Sequence, residues 1–309
     1  RRYEEFRELC RIVDGLQEMD GSYVKNSVAL LYSSDNEYGF KLQHQAEGMY
    51  YLEQLKSLHD GFTSIGVGVD IIDESADLSE YEIVLAPTML ITHEETEKAL
   101  HEFAAQGGTV LLTNRSGVKD AWNKCIMEPL PSIYKDLTGA VVQEYDVPGK
   151  RKGTLDIVDD TLRREYIQCL QCNFQQDQGI SETEINVLYQ QWCDILKTDS
   201  AEILASYGDC YYAGQPAITR NHFGKGRAYY IGTVCNRALY IALAKCMAKE
   251  KGISYYDNLP LGVEITYRRK EETVWRFIFN NTGKMQEIHL EAESYLLKPY
   301  EMKMERLAW

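Results

Sequence analysis

The chain has 309 residues, of which 44% are hydrophobic, and its formal net charge is −14. This length allows about two domains with packed cores. The acidic balance argues against a nucleic-acid partner, whose phosphates require a basic surface, and against binding to an anionic membrane surface.

The first segment of the chain is predicted to be a helix from residue 1 to about residue 19. Its apolar residues recur at helical spacing: Phe6, Leu9, Ile12, Val13 and Leu16. The chain does not begin with Met, and its start is charged rather than signal-like. We therefore expect the chain to be a fragment that continues from an upstream part.

Strands and helices alternate in the next part of the chain. Short apolar runs predict four strands, at 28–33, 67–72, 82–87 and 109–113. Between the first two, apolar residues at helical spacing predict one long helix from Leu42 to Leu58, stopped by Gly61. The residues before it, 33–39, are predicted to be a polar loop. This alternation predicts a parallel, doubly wound sheet.

A second helix is predicted between the third and fourth strands. Thr92 and Glu95 match the Thr-x-x-Glu capping box, which places the start of this helix near His93, and Gly107 ends it.

The second half of the chain is less regular. Residues 118 to about 200 are predicted to hold loops, an insertion and a helix near 181–197. Strands at 217–222 and 227–231 follow, joined by a tight turn whose two glycines suit positive φ angles. A final amphipathic helix is predicted from 235 to 251. Strand-like runs after residue 257 predict a small antiparallel β module of about 50 residues.

The segment from 81 to 117 carries the most informative pattern. The strand at 81–87, the helix and the strand and turn at 107–117 resemble the glutamine-amidotransferase-like (flavodoxin-like) fold. Enzymes of that fold place a nucleophilic Cys on this turn, in a Cys-x-Gly pattern. Here Arg115 stands before Ser116 and Gly117, and a guanidinium cannot act as a nucleophile. Arg115 is therefore interpreted as a degenerate nucleophile position, and the domain as a scaffold.

Three further stretches carry a second resemblance. The long stretch 192–233 is the most specific; the others are 76–87 with 107–109, and 259–266 with 279–282. In this order they resemble the non-catalytic C-terminal half of family 42 glycoside hydrolases, the β-galactosidases. The resemblance covers nearly the whole chain.

That resemblance implies that catalysis and assembly belong to separate domains. Enzymes of this family have a (β/α)8 barrel with both catalytic glutamates of a retaining mechanism, an amidotransferase-like trimerisation domain and a small C-terminal β domain. It implies a helix leaving the missing barrel at 1–24, the trimerisation domain at 25–256 and the β domain at 257–309. It also implies a homotrimer, a galactoside bound by the barrel, no catalytic residue in this chain and no cofactor.

The loop expected at 33–39 is a candidate site. Ligands of open α/β sheets bind beyond the carboxyl ends of the strands, and this loop follows the first strand. In the family, the middle domain walls the neighbouring catalytic pocket. Asp35, Asn36 and Glu37 are therefore interpreted as a substrate-proximal loop. The alternative is an ordinary solvated loop.

The cysteines offer a weak metal motif. Cys169 and Cys172 form a CxxC, and Cys193 with Cys210 would complete four ligands, but zinc sites usually have two closely spaced pairs. Independent reduced thiols, no metal and a cytoplasmic location are the favoured interpretation. The 22 tyrosines are weak support for a subunit interface, because Tyr is also common in cores, and they suit sugar stacking equally well.

One alternative function stays open from the sequence. A free-standing amidotransferase-like domain that binds a small molecule or sugar without catalysis would show the same degenerate turn. An upstream barrel in the parent reading frame would distinguish the two.

Overall fold

The computed structural model describes residues 2–173, 187–290 and 293–307. The predicted N-terminal helix is present as α1 (Arg2–Asp14), followed by a 3-10 turn at Gln17–Met19. None of the residues of α1 is buried, so its apolar side chains lie on the surface.

Ten strands form one mixed sheet. They are β1 (Val28–Tyr32), β2 (Val69–Asp73), β3 (Ile83–Ala86), β4 (Thr109–Thr113), β5 (Ala140–Ile157), β6 (Val187–Thr198), β7 (Glu202–Tyr207), β8 (Pro216–Phe223), β9 (Gly226–Ile231) and β10 (Thr233–Cys235). Their order across the sheet is β10-β6-β5-β7-β8-β9-β4-β3-β1-β2. The five strands from β9 to β2 are parallel, as expected, while the other half is antiparallel.

Helices cover both faces of the sheet. They are α2 (Ser34–Leu42), α3 (Tyr51–Thr63), α4 (Glu94–Gln106), α5 (Lys135–Thr138), α6 (Asp160–Asn173) and α7 (Arg237–Lys251). Alternate residues of β1 enter different cores: Val28 and Leu30 pack with α3 and α7, whereas Ala29 and Leu31 pack with α4. This two-sided burial explains why the parallel strands are continuously apolar.

The helix α7 is more deeply buried than its sequence indicated. Every residue from 238 to 248 is buried, because α7 packs against the sheet and between α3 and α6. Its start is capped by Asn236, whose side chain accepts a hydrogen bond from the amide of Leu239 at 3.0 Å. Gly252, at φ 66°, ends it.

The predicted loop at 33–39 and the long helix after it were wrong. The hydroxyl of Ser33 accepts a hydrogen bond from the amide of Asn36 at 3.2 Å, and this cap starts α2 at Ser34. The helix then ends at Leu42, and α3 begins only at Tyr51. Gly48, at φ 80°, lies in the connection between them.

The capping box at α4 was also wrong, although the start of the helix was right. The hydroxyl of Thr92 donates to the carbonyl of Lys119 at 3.0 Å. His93 is the residue that precedes the helix, and its side chain makes no capping hydrogen bond.

The region expected to be irregular contains the longest strand, β5, and the helix α6. The helix predicted near 181–197 is wrong from residue 187 onward, where β6 lies; residues 181–186 are outside the described residues. Trp192, Cys193, Ile195 and Leu196 are all buried. A strand covered on both faces loses the alternation that identifies strands in a sequence.

The predicted tight turn between β8 and β9 is confirmed, but its two glycines have different roles. Gly224 has φ 59° and supplies the positive angle. Gly226 does not; a Cβ there would lie 2.1 Å from the carbonyl oxygen of Gly108. Gly226 is therefore required by close packing of two backbones.

The C-terminal module is antiparallel, as predicted. One sheet contains β11 (Val263–Lys270), β12 (Thr273–Asn280) and β15 (Met302–Leu307), and the other contains β13 (Gln286–Leu290) and β14 (Glu293–Leu297). The module has its own apolar cluster, which includes Ile265, Ile278 and Ile288. It is joined to the segment after α1 by paired backbone hydrogen bonds between Tyr23 and Arg269.

Candidate functional site

Arg115 lies in the turn after β4, at the carboxyl edge of the parallel strands. Its φ angle is 65°, in the left-handed region that non-glycine residues rarely adopt. The sequence pattern had placed a sharp turn here. The structure therefore shows a residue whose backbone is held in an unusual conformation at the edge where α/β sheets bind ligands.

The side chain of Arg115 is held by aromatic rings. Its guanidinium carbon lies 4.6 Å from the centre of the Trp192 ring and 5.7 Å from that of Tyr145. The two rings stack on each other at 4.9 Å with an angle of 19° between their planes. Nε of Arg115 also donates to Oε1 of Gln45 at 2.9 Å. The guanidinium is thus fixed by packing and hydrogen bonding.

A buried carboxylate lies beneath this turn. Asp194 accepts hydrogen bonds from Trp192 Nε1 at 2.8 Å, Tyr230 OH at 2.7 Å and the amide of Arg115 at 3.3 Å. Burial raises the pKa of Asp194 above its usual value, and the three donors and the Arg115 charge act against that rise. Burial also disfavours the charged form of Arg115 and so lowers its pKa, but the guanidinium remains a cation. The charges compensate each other across the turn.

The next residue of the turn, Ser116, also makes structural hydrogen bonds. Ser116 is 1% exposed. Its hydroxyl accepts a hydrogen bond from the amide of Met89 at 3.1 Å and donates to the carbonyl of Thr113 at 2.7 Å. The amide of Thr88 likewise donates to the hydroxyl of Thr113. The amides of Thr88 and Met89, which follow β3, are therefore hydrogen-bonded to side chains at the end of β4 and in the turn after it, and do not face a ligand.

The three residues predicted as a substrate-proximal loop lie in the first turn of α2. Asp35 is exposed, and its carboxylate lies 3.1 Å from Nε2 of His93. Asn36 is fully buried, and its amide side chain bonds both the N–H and the C=O of Ile91 at 2.8 and 3.0 Å. Asn36 therefore ties the first turn of α2 to the segment before α4.

Glu37 is tied to its own surroundings. It accepts hydrogen bonds from the hydroxyl of Tyr32 and the ammonium of Lys41. The hydrogen bond from Lys41 is the largest of the effects that lower the pKa of Glu37, followed by that from Tyr32. Glu37 is thus a paired carboxylate on the side of α2 that faces α3.

The sequence did not reveal one carboxylate, Glu74, that lies beside the first turn of α2. Glu74, which follows β2, has a side chain only 14% exposed. Its Oε1 accepts a hydrogen bond from Ser33 at 3.1 Å and lies 3.6 Å from Nε2 of His93. Burial raises its pKa. No sequence signal connects Ser33, Glu74 and His93, because each follows or precedes a different element.

Three of the four cysteines of the weak metal motif, Cys169, Cys193 and Cys210, have described side chains. Within residues 2–173, 187–290 and 293–307, no group of three His, Cys, Asp or Glu side chains has an arrangement that could hold a metal ion. Cys193 is buried and contacts the hydroxyl of Tyr212 at 3.8 Å, whereas Cys210 is exposed. The side chain of Cys172 lies outside the described residues.

Many of the tyrosines are core residues. Tyr189, Tyr207 and Tyr212 are buried, and their rings pack edge to face at 4.9 to 5.1 Å. Tyrosine pairs in the sequence therefore do not by themselves indicate an interface.

None of the helices in the described part of the chain is both long and apolar enough to cross a bilayer.

Comparison with known proteins agrees with this geometry. Residues 26–254 match the family model of the β-galactosidase trimerisation domain. The chain is 37% identical, over 99% of its length, to the β-galactosidase BgaA of Clostridium cellulovorans, and 31% identical, over 84%, to the β-galactosidase Bga of Halorubrum lacusprofundi. It spans 45% and 35% of those two proteins, so less than half of each relative is represented here.

Solved structures show the same fold. The β-galactosidase from Rahnella sp. R3 superimposes with a TM-score of 0.86, over 98% of this chain and 44% of that one, at 22% identity. The enzyme from Halorubrum lacusprofundi superimposes with a TM-score of 0.77 at 26% identity, over 93% of this chain and 40% of that one. The chain therefore belongs to the trimerisation-domain family of the family 42 β-galactosidases.

Proposed function

We propose that this chain is the assembly part of a β-galactosidase whose catalytic (β/α)8 barrel lies outside it. The parent would hydrolyse terminal β-D-galactosyl residues by a retaining mechanism, which requires two carboxyl groups about 5 Å apart on that barrel. The observation that carries the proposal is Arg115, a cation packed on Trp192 at the turn where an enzyme of this fold would carry its nucleophile. Its guanidinium has no nucleophilic chemistry.

We propose that the parallel half is amidotransferase-like and that Arg115 is its degenerate nucleophile position. The strand order β2-β1-β3-β4-β9 supports this, because it corresponds to the flavodoxin-like order 2-1-3-4-5. The engagement of the Met89 amide by Ser116 also supports it, since a backbone donor near the turn is already satisfied.

We propose three parts for the chain: a helix leaving the barrel at 1–24, the trimerisation domain at 25–256 and the small β domain at 257–309. The family match over 26–254 supports the middle part. The first part is supported by five large apolar side chains of α1 that lie on the surface: Tyr3, Phe6, Leu9, Ile12 and Val13. A barrel packed on α1 would cover them.

The proposed assembly is a homotrimer, with the galactoside bound by the barrel. Asp35 and Glu37 remain our candidates for approaching a neighbouring subunit's substrate site; Asp35 is the more exposed of the two. The cytoplasmic location stays a prediction from the cysteine pattern. A free-standing domain that binds a small molecule has no support from the relatives named above, all of which are β-galactosidases.

Two measurements test the proposal. The isolated chain is expected to leave a chromogenic β-galactoside intact, because the carboxyl pair of the retaining mechanism is outside it. Light scattering on the full-length parent is expected to give the mass of a trimer. Turnover that is lost on mutating a residue of this chain, or a strictly monomeric parent, would contradict it.

A further inference from the structure

We propose that copies of this chain associate by inserting the loop that carries Trp122 into a cavity between α2 and α3 of the next copy. This inference rests on the proposed assembly function and deepens it by naming the two contacting surfaces. Three such contacts close a ring of three copies.

The protruding surface, which we call the knob, consists of Trp122 and Met127. Their side chains are 90% and 92% exposed, the highest values among the large apolar residues of the described chain. Tryptophan and methionine are enriched in protein interfaces, and buried tryptophans are frequent hot spots. Full exposure of both in a single loop is therefore the pattern of a surface that a partner covers.

The knob is held in a defined position. The carboxylate of Asp120 accepts hydrogen bonds from the amides of Trp122 and Lys124 at 3.0 and 2.9 Å. The ammonium of Lys119 donates to side-chain oxygens of Asn123 and Gln43, at 2.7 and 2.8 Å. The last bond ties the loop to the end of α2. A preorganised loop loses little entropy on binding, which favours association.

The receiving surface, which we call the pocket, is an open cavity of about 250 Å³ between α2 and α3. Its lining contains six aromatic or aliphatic residues, Phe40, His44, Met49, Tyr50, Tyr51 and Leu52, and four charged residues at its borders, Glu37, Lys41, Glu53 and Lys56. Two of the lining residues, Tyr50 and Leu52, are 56% and 43% exposed, so the pocket opens to solvent beside them. A cavity of this size and chemistry suits one large aromatic side chain.

The outer surface of α2 is also apolar, because Tyr38 is 63% exposed and Leu42 is 82% exposed. We call these two side chains the ridge. The knob and the pocket are different surfaces of the chain, so the contact between copies is heterologous. Such contacts close into a ring of three when each copy is rotated by one third of a turn from the next.

A second copy of this chain is the occupant that the observations favour. The pocket has room for one aromatic ring, and the same molecule presents an exposed one in the knob. The fold also matches a family described by its trimerisation. A stable contact buries about 800 Å² per partner, and the ridge would supply the area around the inserted ring.

The test uses the 309-residue chain in sedimentation velocity over a concentration series. Trp122→Ala removes the larger side chain of the knob, and Leu52→Arg replaces an apolar side chain of the pocket by a long charged one. Leu296→Ala is the matched control, because Leu296 is 64% exposed on the small β module. We expect a trimer for the unchanged chain and the control, and an affinity loss of at least about thirtyfold per contact for either variant, as for a hot-spot residue. All four proteins are expected to unfold at similar temperatures, because these side chains are exposed.

Mixing the two variants gives the decisive result. The Leu52→Arg chain keeps its knob and the Trp122→Ala chain keeps its pocket, so one good contact forms and the ring cannot close. We expect one-to-one dimers from the mixture and monomers from each variant alone. A trimer that both variants leave intact overturns the inference but not the proposed function. A chain that is monomeric or dimeric throughout also overturns it, whereas the proposed function depends on the mass of the parent.

Discussion

The guanidinium of Arg115 lies over the indole ring of Trp192, 4.6 Å from its centre, and thereby joins the turn after β4 to the strand β6. These two elements belong to the parallel and antiparallel halves of the sheet. The contact is therefore expected to stabilise the joint between the halves.

Replacing Arg115 by Met tests this role. Met keeps an unbranched side chain and the same backbone conformation but loses the cation and the hydrogen bond to Gln45. We expect the free energy of unfolding to fall by about 1–2 kcal/mol, measured by urea denaturation. Arg115→Lys should be intermediate, because it keeps the charge without the planar stacking group. An unchanged midpoint for Arg115→Met would show that the stack carries no stability.

Restoring a thiol at the turn is not expected to restore chemistry. In Arg115→Cys, the amide of Met89 would still donate to Ser116, so the environment of the new thiol would remain structural. We expect no glutaminase activity that is sensitive to a thiol reagent. Such activity, absent from a matched Arg115→Ser chain, would show that the turn retains a working site.

Asp194 is expected to be among the most sensitive positions. Asp194→Ala leaves the donors of Trp192 and Tyr230 buried without their acceptor, at a cost of about 3–5 kcal/mol. Asp194→Asn keeps one acceptor oxygen and should cost less. The exposed Asp199 supplies the control, since Asp199→Ala should change the unfolding midpoint little. Equal losses for all three variants would contradict the prediction.

The small β domain should lose stability in acid. Burial pushes the pKa of Glu305 upward, but hydrogen bonds from Arg276 and Tyr295 and the Arg276 charge outweigh it, and the pKa lies below its usual value. A lowered pKa means that the ionised carboxylate stabilises the folded state. This contribution is present above the unfolded pKa near 4.5 and is lost as the pH falls through the folded value.

Glu305→Gln measures this contribution. The variant should be less stable than the unchanged chain near neutral pH and should approach it in acid. Glu287→Gln, at an exposed position of the same module, is the control and should keep the full pH dependence. A constant difference between the Glu305 variant and the unchanged chain at every pH would contradict the assignment.

The sequence predicted the parallel half well because its signals are local. The strand β4 has the bounds that its apolar run predicted, and Gly107 ends α4 as expected. The sequence-based prediction failed where tertiary packing decides whether a segment forms a helix or a strand and where that element ends. The amphipathic pattern across 42–58 did not reveal the break before α3. The strand β6, whose central residues 192–196 are all buried, resembled a helix.

The candidate site was predictable only in part, for a related reason. Arg115 could be identified because a strand, a turn and a glycine surround it in sequence. Its partners Trp192, Tyr145 and Asp194 lie on distant strands, and nothing in their local pattern indicates that they meet. The same holds for Glu74 and His93, which come together only when β2 and α4 are both placed.

The pairing of β4 with β9 has a consequence during synthesis. These parallel strands are neighbours in the sheet, yet roughly a hundred residues separate Thr113 from Gly226. At about 5–20 residues per second, the edge of β4 waits on the order of ten seconds for its partner to leave the ribosome. Until then its backbone N–H and C=O groups on that side lack partners, and its side chains Val110, Leu111 and Leu112 are all apolar. The nascent chain is therefore exposed to edge-to-edge aggregation in this interval, which ends when the β8–β9 hairpin arrives.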